Sequence, residues 1–338
     1  MKTSSTIFLQ AVILFIGLGV LALMLFEPQV EGRNANKGLQ IFLHFRDYLH
    51  HNVCVQCAKF HPPGEITLPI DSRLMSDRFP RASAYNPEWV LSSVSGGANA
   101  LWLTEWLCEG LDLKPGMRVL DLGCGRALSS IFLHREFGVE VWATDLWFSA
   151  SENIQRIRDA GAQDGVFPIS ADARSLPFSE NFFDAVVSID SFMFYGTDDL
   201  YMNHLARFVK PGGPLGIALA GYTHEMNEPI PEHLSEWWAN EMAHCLHSAD
   251  WWRNHWERGG AVEVAVADTL PDGWRYWLEW LKLIAPENES EIQAIETDAG
   301  RSFAYVRAIG HRREDAKLFD PLLKMPEAYV KQPLLRTT

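Results

Sequence analysis

The sequence predicts an α/β chain built on a parallel sheet covered on both faces, and three observations carry that prediction. From residue 117 onward, short apolar runs alternate with helix-length segments; the first run ends in a glycine-rich turn that leads directly into a helical pattern; and an acid ends or follows each of four runs. The 338 residues include 43 acidic and 29 basic side chains, a net charge of −14, and are 47% apolar. Such a composition excludes a disordered or collagen-like chain. It leaves room for two domains, or for one large α/β domain with extensions. Nucleic-acid binding is not expected, because it draws most of its affinity from Lys and Arg neutralising phosphates. Five cysteines do not make a disulfide framework and suit a reducing compartment.

Taken in chain order, Ile7 to Phe26 comes first, with twenty residues of which Gln10 is the strongly polar one. That length matches a helix crossing about 30 Å of hydrocarbon. A signal peptide normally has a shorter apolar region and a small-x-small end, whereas Glu27-Pro28-Gln29 follows here. We therefore expect an N-terminal transmembrane helix within residues 1–30. Lys2 precedes the span and Arg33, Lys37 and Arg46 follow it, which puts the body of the chain in the cytoplasm. If translation begins later, for instance at Met75, the chain is cytoplasmic without an anchor. Residues 31–80, with Pro28, Pro62, Pro63 and Pro69 in or beside them, read as a linker. There Cys54-Val-Gln-Cys57 with His61 offers three zinc ligands where a closed site takes four, so free thiols are expected and no metal.

Next comes Arg118-Val-Leu-Asp-Leu122, a strand, followed by the turn Gly123-Cys-Gly125-Arg-Ala127 and a helix from Leu128. Glycine lets the backbone approach a ligand closely, and the free N–H groups opening the helix face negative charge. Val139 to Thr144 forms a second strand ending at Asp145, where an acid can accept both hydroxyls of a ribose. A dinucleotide fingerprint wants G-x-G-x-x-G/A, but Leu128 stands at its last position, which disfavours a nicotinamide-dependent oxidoreductase. Asp121, Asp145, Asp172 and Asp190 each end or follow a strand, so all four fall along one rim of the sheet. An ordinary turn or capping role is the competing reading for each taken alone.

These residues resemble the class I S-adenosylmethionine-dependent methyltransferases. Val119-Leu-Asp-Leu-Gly-Cys-Gly125 is similar to the family's first motif, with Ala127 in place of its last glycine. Ser170-Ala-Asp172-Ala173, Phe183 to Asp190, and Leu205 to Gly213 resemble the later motifs. The resemblance implies a Rossmann-like, doubly wound sheet of seven strands with the last antiparallel, and S-adenosyl-L-methionine as cofactor. It further implies that Asp121, Gly123, Gly125, Asp145, Leu146, Asp172, Ala173 and Asp190 hold that donor. In the segment Asp190 to Tyr195 the methyl would be faced by Asp190 and Tyr195, the first candidates for a general base, with His224 third. A looser likeness reaches the cyclopropane-fatty-acid-synthase and phosphoethanolamine methyltransferase groups.

The remaining segments complete the domain, expected over 81–311. Tyr85 to Val90 and Ser95-Gly-Gly-Ala-Asn99, with the helix that follows, read as a helical lid; Gly96 and Gly97 would supply its bend, and Asn99 or Tyr85 a donor contact, a plain helix cap being the alternative. Leu215 to Ala220, Ala261 to Val266 and Ser302 to Ile309 read as strands, and Ser248 as a helix cap. Residues 271–300 add two helix-length segments. Eight tryptophans fall between Trp237 and Trp280; helix-face packing accounts for most of them, with an aromatic cage for a cation as the alternative. Residues 312–338 read as a surface extension. The expected activity is methyl transfer to a small-molecule or lipid-like acceptor by in-line displacement. A membrane-tethered binder of the donor without transfer is the rival, and the sequence sets no oligomeric state.

Overall fold

The computed structural model describes residues 74–318 apart from residue 228. The expected span at 7–26, the Cys54, Cys57 and His61 cluster, most of the linker and residues 319–338 lie outside the described residues. Among the described residues no helix is long and apolar enough to cross a membrane, and no group of His, Cys, Asp or Glu could hold a metal ion.

Three helices lead in: α1 (Pro80–Ser83), α2 (Pro87–Ser92) and α3 (Ala100–Cys108). The core alternates as expected: β1 (Arg118–Leu122), α4 (Leu128–Phe137), β2 (Glu140–Asp145), α5 (Ala150–Asp159), β3 (Val166–Ser170), β4 (Ala185–Ile189), α6 (Tyr201–Ala206) and β5 (Pro214–Tyr222). After an insertion containing α7 (Ser235–Trp238) come α8 (Ala249–Arg258), β6 (Val262–Thr269), α9 (Gly273–Ile284), α10 (Glu289–Asp298) and β7 (Phe303–Arg312). The sheet order is β3-β2-β1-β4-β5-β7-β6, and β7 runs antiparallel to both its neighbours. The seven strands and the reversed last one agree with the expectation.

Local chemistry explains where the helices begin. Ser149 and Glu152 form a reciprocal capping box on α5, and the Ser248 side chain accepts from Trp251 N to start α8 as its sequence predicts. Asn99 caps α3 by accepting from Leu101 N and Trp102 N, so its capping role holds. Aromatic packing fills the core: Trp252 and Trp256 of α8 lie against Phe192, while Trp102 of α3 meets Tyr276 and Trp280 of α9. Five of the eight clustered tryptophans are buried, as the packing reading requires.

The register sets the rim. Leu122 is level with Thr144, Asp145 with Ser170, and Ile189 with Ala218, so the parallel strands finish side by side and their acids emerge along one edge.

Candidate active site

The glycine turn is fixed from both sides. Gly123 N and Cys124 N donate to Thr144 O at 2.8 and 3.1 Å, which ties the turn to the end of β2. Gly123, Gly125 and Ala127 all have positive φ, +76°, +54° and +61°. Ala127 thus bears a strained backbone at a position where glycine would be free. A side chain on Gly123 would meet Ser191 Oγ at 1.8 Å, and one on Gly125 would meet Ser95 Oγ at 2.1 Å. The turn is therefore clasped between the loop after β4 and the segment before α3.

Asp121 is fully buried below this turn, and its Oδ2 accepts from Ser129 and Ser130 hydroxyls at 2.6 Å in the first turn of α4. Burial pushes its carboxyl up to about 6. Asp145 lies beside it: Oδ2 accepts from Gly125 N at 2.8 Å and Oδ1 from Trp147 N and Phe148 N at 2.7 and 2.9 Å. It is 8% exposed, and burial raises it against the opposing pull of those N–H groups. Leu146 projects next to it, half exposed. Asp172 follows β3 and is held below its usual range by the Arg174 guanidinium, which grips both its oxygens. The adjacent Ala173 carbonyl accepts from Tyr201 OH at 3.1 Å.

Asp190, with φ +48°, joins the rim to the segment before α3. Its Oδ2 accepts from Ala98 N at 2.9 Å and its Oδ1 from Ala220 N at 3.4 Å, while Gly96 and Gly97 pass close by. Burial lifts its carboxyl to about 6 as well. Arg126 and Arg156 both donate to Ser92 O at 3.3 Å, which fixes the start of the same segment.

The three base candidates are placed differently from one another. Asp190 sits in the crevice. Tyr195 is turned under the glycine turn, its hydroxyl donating to Leu122 O at 2.9 Å and bonded to Ser188 Oγ, so that it braces the end of β1. His224 is exposed just beyond β5, with Nδ1 bonded to Thr223 Oγ1 at 2.8 Å. Tyr85 bonds Glu136 of α4 and packs on Phe132. The sequence reading placed Ser95 in the segment before α3 as a lid or cap residue, but not against Gly125, and it missed Ser129 and Ser130, since hydroxyls that serve a buried acid carry no spacing signal.

Residues 119–213 match the methyltransferase domain family. Among curated proteins, the chain is 36% identical over 117 residues to methyltransferase GfsG of Streptomyces halstedii, covering 34% of this chain and 42% of that one. It is 36% identical over 115 residues to a demethylmenaquinone methyltransferase of Corynebacterium efficiens, covering 32% and 44%. To the ubiquinone/menaquinone biosynthesis C-methyltransferase UbiE of Vibrio cholerae serotype O1 it is 30% identical over 158 residues, covering 45% and 57%. The methyltransferase domain thus aligns with about half the length of these relatives. The fold is shared with the [4+2]-cyclase SpnF (TM-score 0.51, 19% identity, 62% of this chain and 80% of that one). It is also shared with geranyl diphosphate C-methyltransferase of Streptomyces coelicolor A3(2) (TM-score 0.50, 24% identity, 62% and 74%).

The rim suits a cationic donor. Among the described residues neither Asp121, Asp145 nor Asp190 has a Lys or Arg ion partner, and burial lifts all three. A positive charge placed among them relieves that penalty.

Proposed function

We propose that this chain transfers a methyl group from S-adenosyl-L-methionine to a small-molecule or lipid-like acceptor. The observation that carries the reading is the row of buried acids without basic partners set around a clasped glycine turn, inside the matched domain. When bound, the donor supplies an electrophilic methyl on a sulfonium. Asp145 would accept the ribose hydroxyls, with Leu146 against the base, and Asp172 with the Ala173 backbone would hold adenine. Gly123 and Gly125 would let the main chain come close, and residues 95–98 would shut out water, leaving positioning as the main source of rate. Asp190 would take a proton where the acceptor must lose one.

Quinone-methylating names among the relatives support a lipid-like acceptor. The apolar stretch 7–26 supports a membrane tether with the domain on the cytoplasmic side. Resistance of the full chain to extraction from membranes at alkaline pH is the expected outcome, and release into the supernatant contradicts the tether. SpnF, named as a cyclase, has this fold, so architecture alone does not set the chemistry.

The deciding experiment incubates the full chain with methyl-labelled donor and cell extract, beside calorimetric titration of donor. Label in a product and a donor affinity at least about 10-fold weaker in Asp145→Ala are expected, a loss of about 1.4 kcal/mol or more. Binding without label transfer favours the donor-binding alternative. Absence of binding at millimolar donor overturns both readings.

A further inference from the structure

Beside Asp190 of the rim, β7 and α10 bring together further polar groups, Tyr305 and Glu291, that have no part in the donor site described above. Tyr305 of β7 stacks on Trp277 of α9, with ring centroids 5.7 Å apart and planes at 18°. The Trp277 indole N–H donates to Glu291 Oε1 at 3.1 Å, and Asn288 donates to Oε2 at 2.6 Å. Tyr305 is level with Ala220, whose N–H reaches Asp190. Tyr305 thus adjoins both Trp277, which holds Glu291, and the strand position whose amide holds Asp190.

Two independent features set this cluster apart from ordinary core. Tyr305 is only 1% exposed, yet its hydroxyl has no hydrogen-bond partner among the described residues. A buried phenol left so is unfavourable, and a ligand group that bonds it recovers the loss. In addition, no Lys or Arg of the described residues pairs with Glu291 or Asp190. Arg307, two residues along the same face of β7, is committed to Asp268 and to Trp106 O.

We propose that Glu291, Tyr305, Trp277 and Asp190 form the acceptor pocket and that it takes a cationic amine. The carboxylates offset the ammonium charge, the aromatic faces attract it, and the Tyr305 oxygen can accept one of its N–H bonds. For transfer the ammonium first gives a proton to Asp190, and the freed nitrogen lone pair then takes the methyl as the carbon–sulfur bond breaks and S-adenosylhomocysteine leaves. Burial holds Glu291 above its usual range, and the nearby Asp190 charge adds to this, so a cation between them is favoured over a neutral group. This deepens the methyltransferase reading and rests on it. Glu291 and Tyr305 lie beyond residues 119–213, the stretch that the methyltransferase domain family matches.

The test titrates the full chain with n-butylammonium and with n-butanol, its neutral counterpart, following tryptophan fluorescence and heat, with and without saturating S-adenosylhomocysteine. We expect the ammonium to bind at least about 10-fold more tightly than the alcohol, or about 1.4 kcal/mol. Glu291→Gln should abolish most of that preference while leaving S-adenosylhomocysteine affinity within about twofold, and Tyr305→Phe should weaken the ammonium alone. Equal binding of alcohol and ammonium by the unaltered chain, or a preference untouched by Glu291→Gln, overturns the inference. Failure to bind S-adenosylhomocysteine would instead strike the methyltransferase reading, so the two failures are distinguishable.

Discussion

Asp121 has no exposure and leans on two serine hydroxyls rather than on a cation. Because its carboxyl is raised to about 6 in the folded chain, the stability it contributes is complete below about pH 4 and is lost as pH rises through 6. The loss is at most about 3 kcal/mol, from a shift of about two pH units. Asp121→Asn should remove that decline. Denaturant midpoints of the variant minus those of the unaltered chain should therefore grow between pH 4 and 6.5 and then level off; a constant difference contradicts the assignment. At this scale the sequence was informative wherever an acid ends a strand, because the strand's apolar run announces its own end. Glu291 gave no such sign: it lies in Glu289–Asp298, a helix with several other acids, and only folding singles it out. Tyr305 was legible only as part of the closing strand, since β7 is buried on both faces and nothing in its pattern marks the unmatched hydroxyl.

Among elements, the glycine turn and the segment before α3 behave as one unit. A methyl on Gly125 meets Ser95 at 2.1 Å and sits at φ +54°, so Gly125→Ala should cost about 1–2 kcal/mol and push residues 95–98 off the turn. Limited proteolysis should then cut near residue 95 faster than in the unaltered chain, and Ser95→Gly in the same chain should restore part of the protection. Unchanged cleavage would mean the segment is not seated there in solution. Helix starts were read well where a side chain closes its own backbone, as at Ser248 and Asn99. Strand limits were read less well. β4 begins at Ala185 rather than Phe183, because Phe183 makes only an isolated bridge to Val209, and β7 continues to Arg312, because β5 pairs with it as far as His311 and β6 as far as Arg312. Pairing with a distant partner decides such ends, and no local pattern contains it.

For the molecule as a whole, Arg307 is the tie between layers: it forks onto Asp268 of β6 and reaches Trp106 O of α3, at 9% exposure. Asp268 is 44% exposed, so screening reduces the ion pair's share and the buried carbonyl bond matters more. Arg307→Ala should cost about 2 kcal/mol, read as a lower denaturant midpoint at unchanged slope. The parallel half of the sheet was legible because each strand and helix there follows the last; the reversal of the last strand came only through family likeness, and the order β5-β7-β6 was not read, since nothing local makes a chain return between two strands already laid down. That return has a consequence for how such proteins can diversify. With β6 arriving at the rim and β7 departing from it, the α9–α10 excursion begins and finishes at the same edge. Exchanging it wholesale leaves every strand with its original neighbours, so lineages can trade one acceptor preference for another by swapping a single cassette while the nucleoside half is inherited intact.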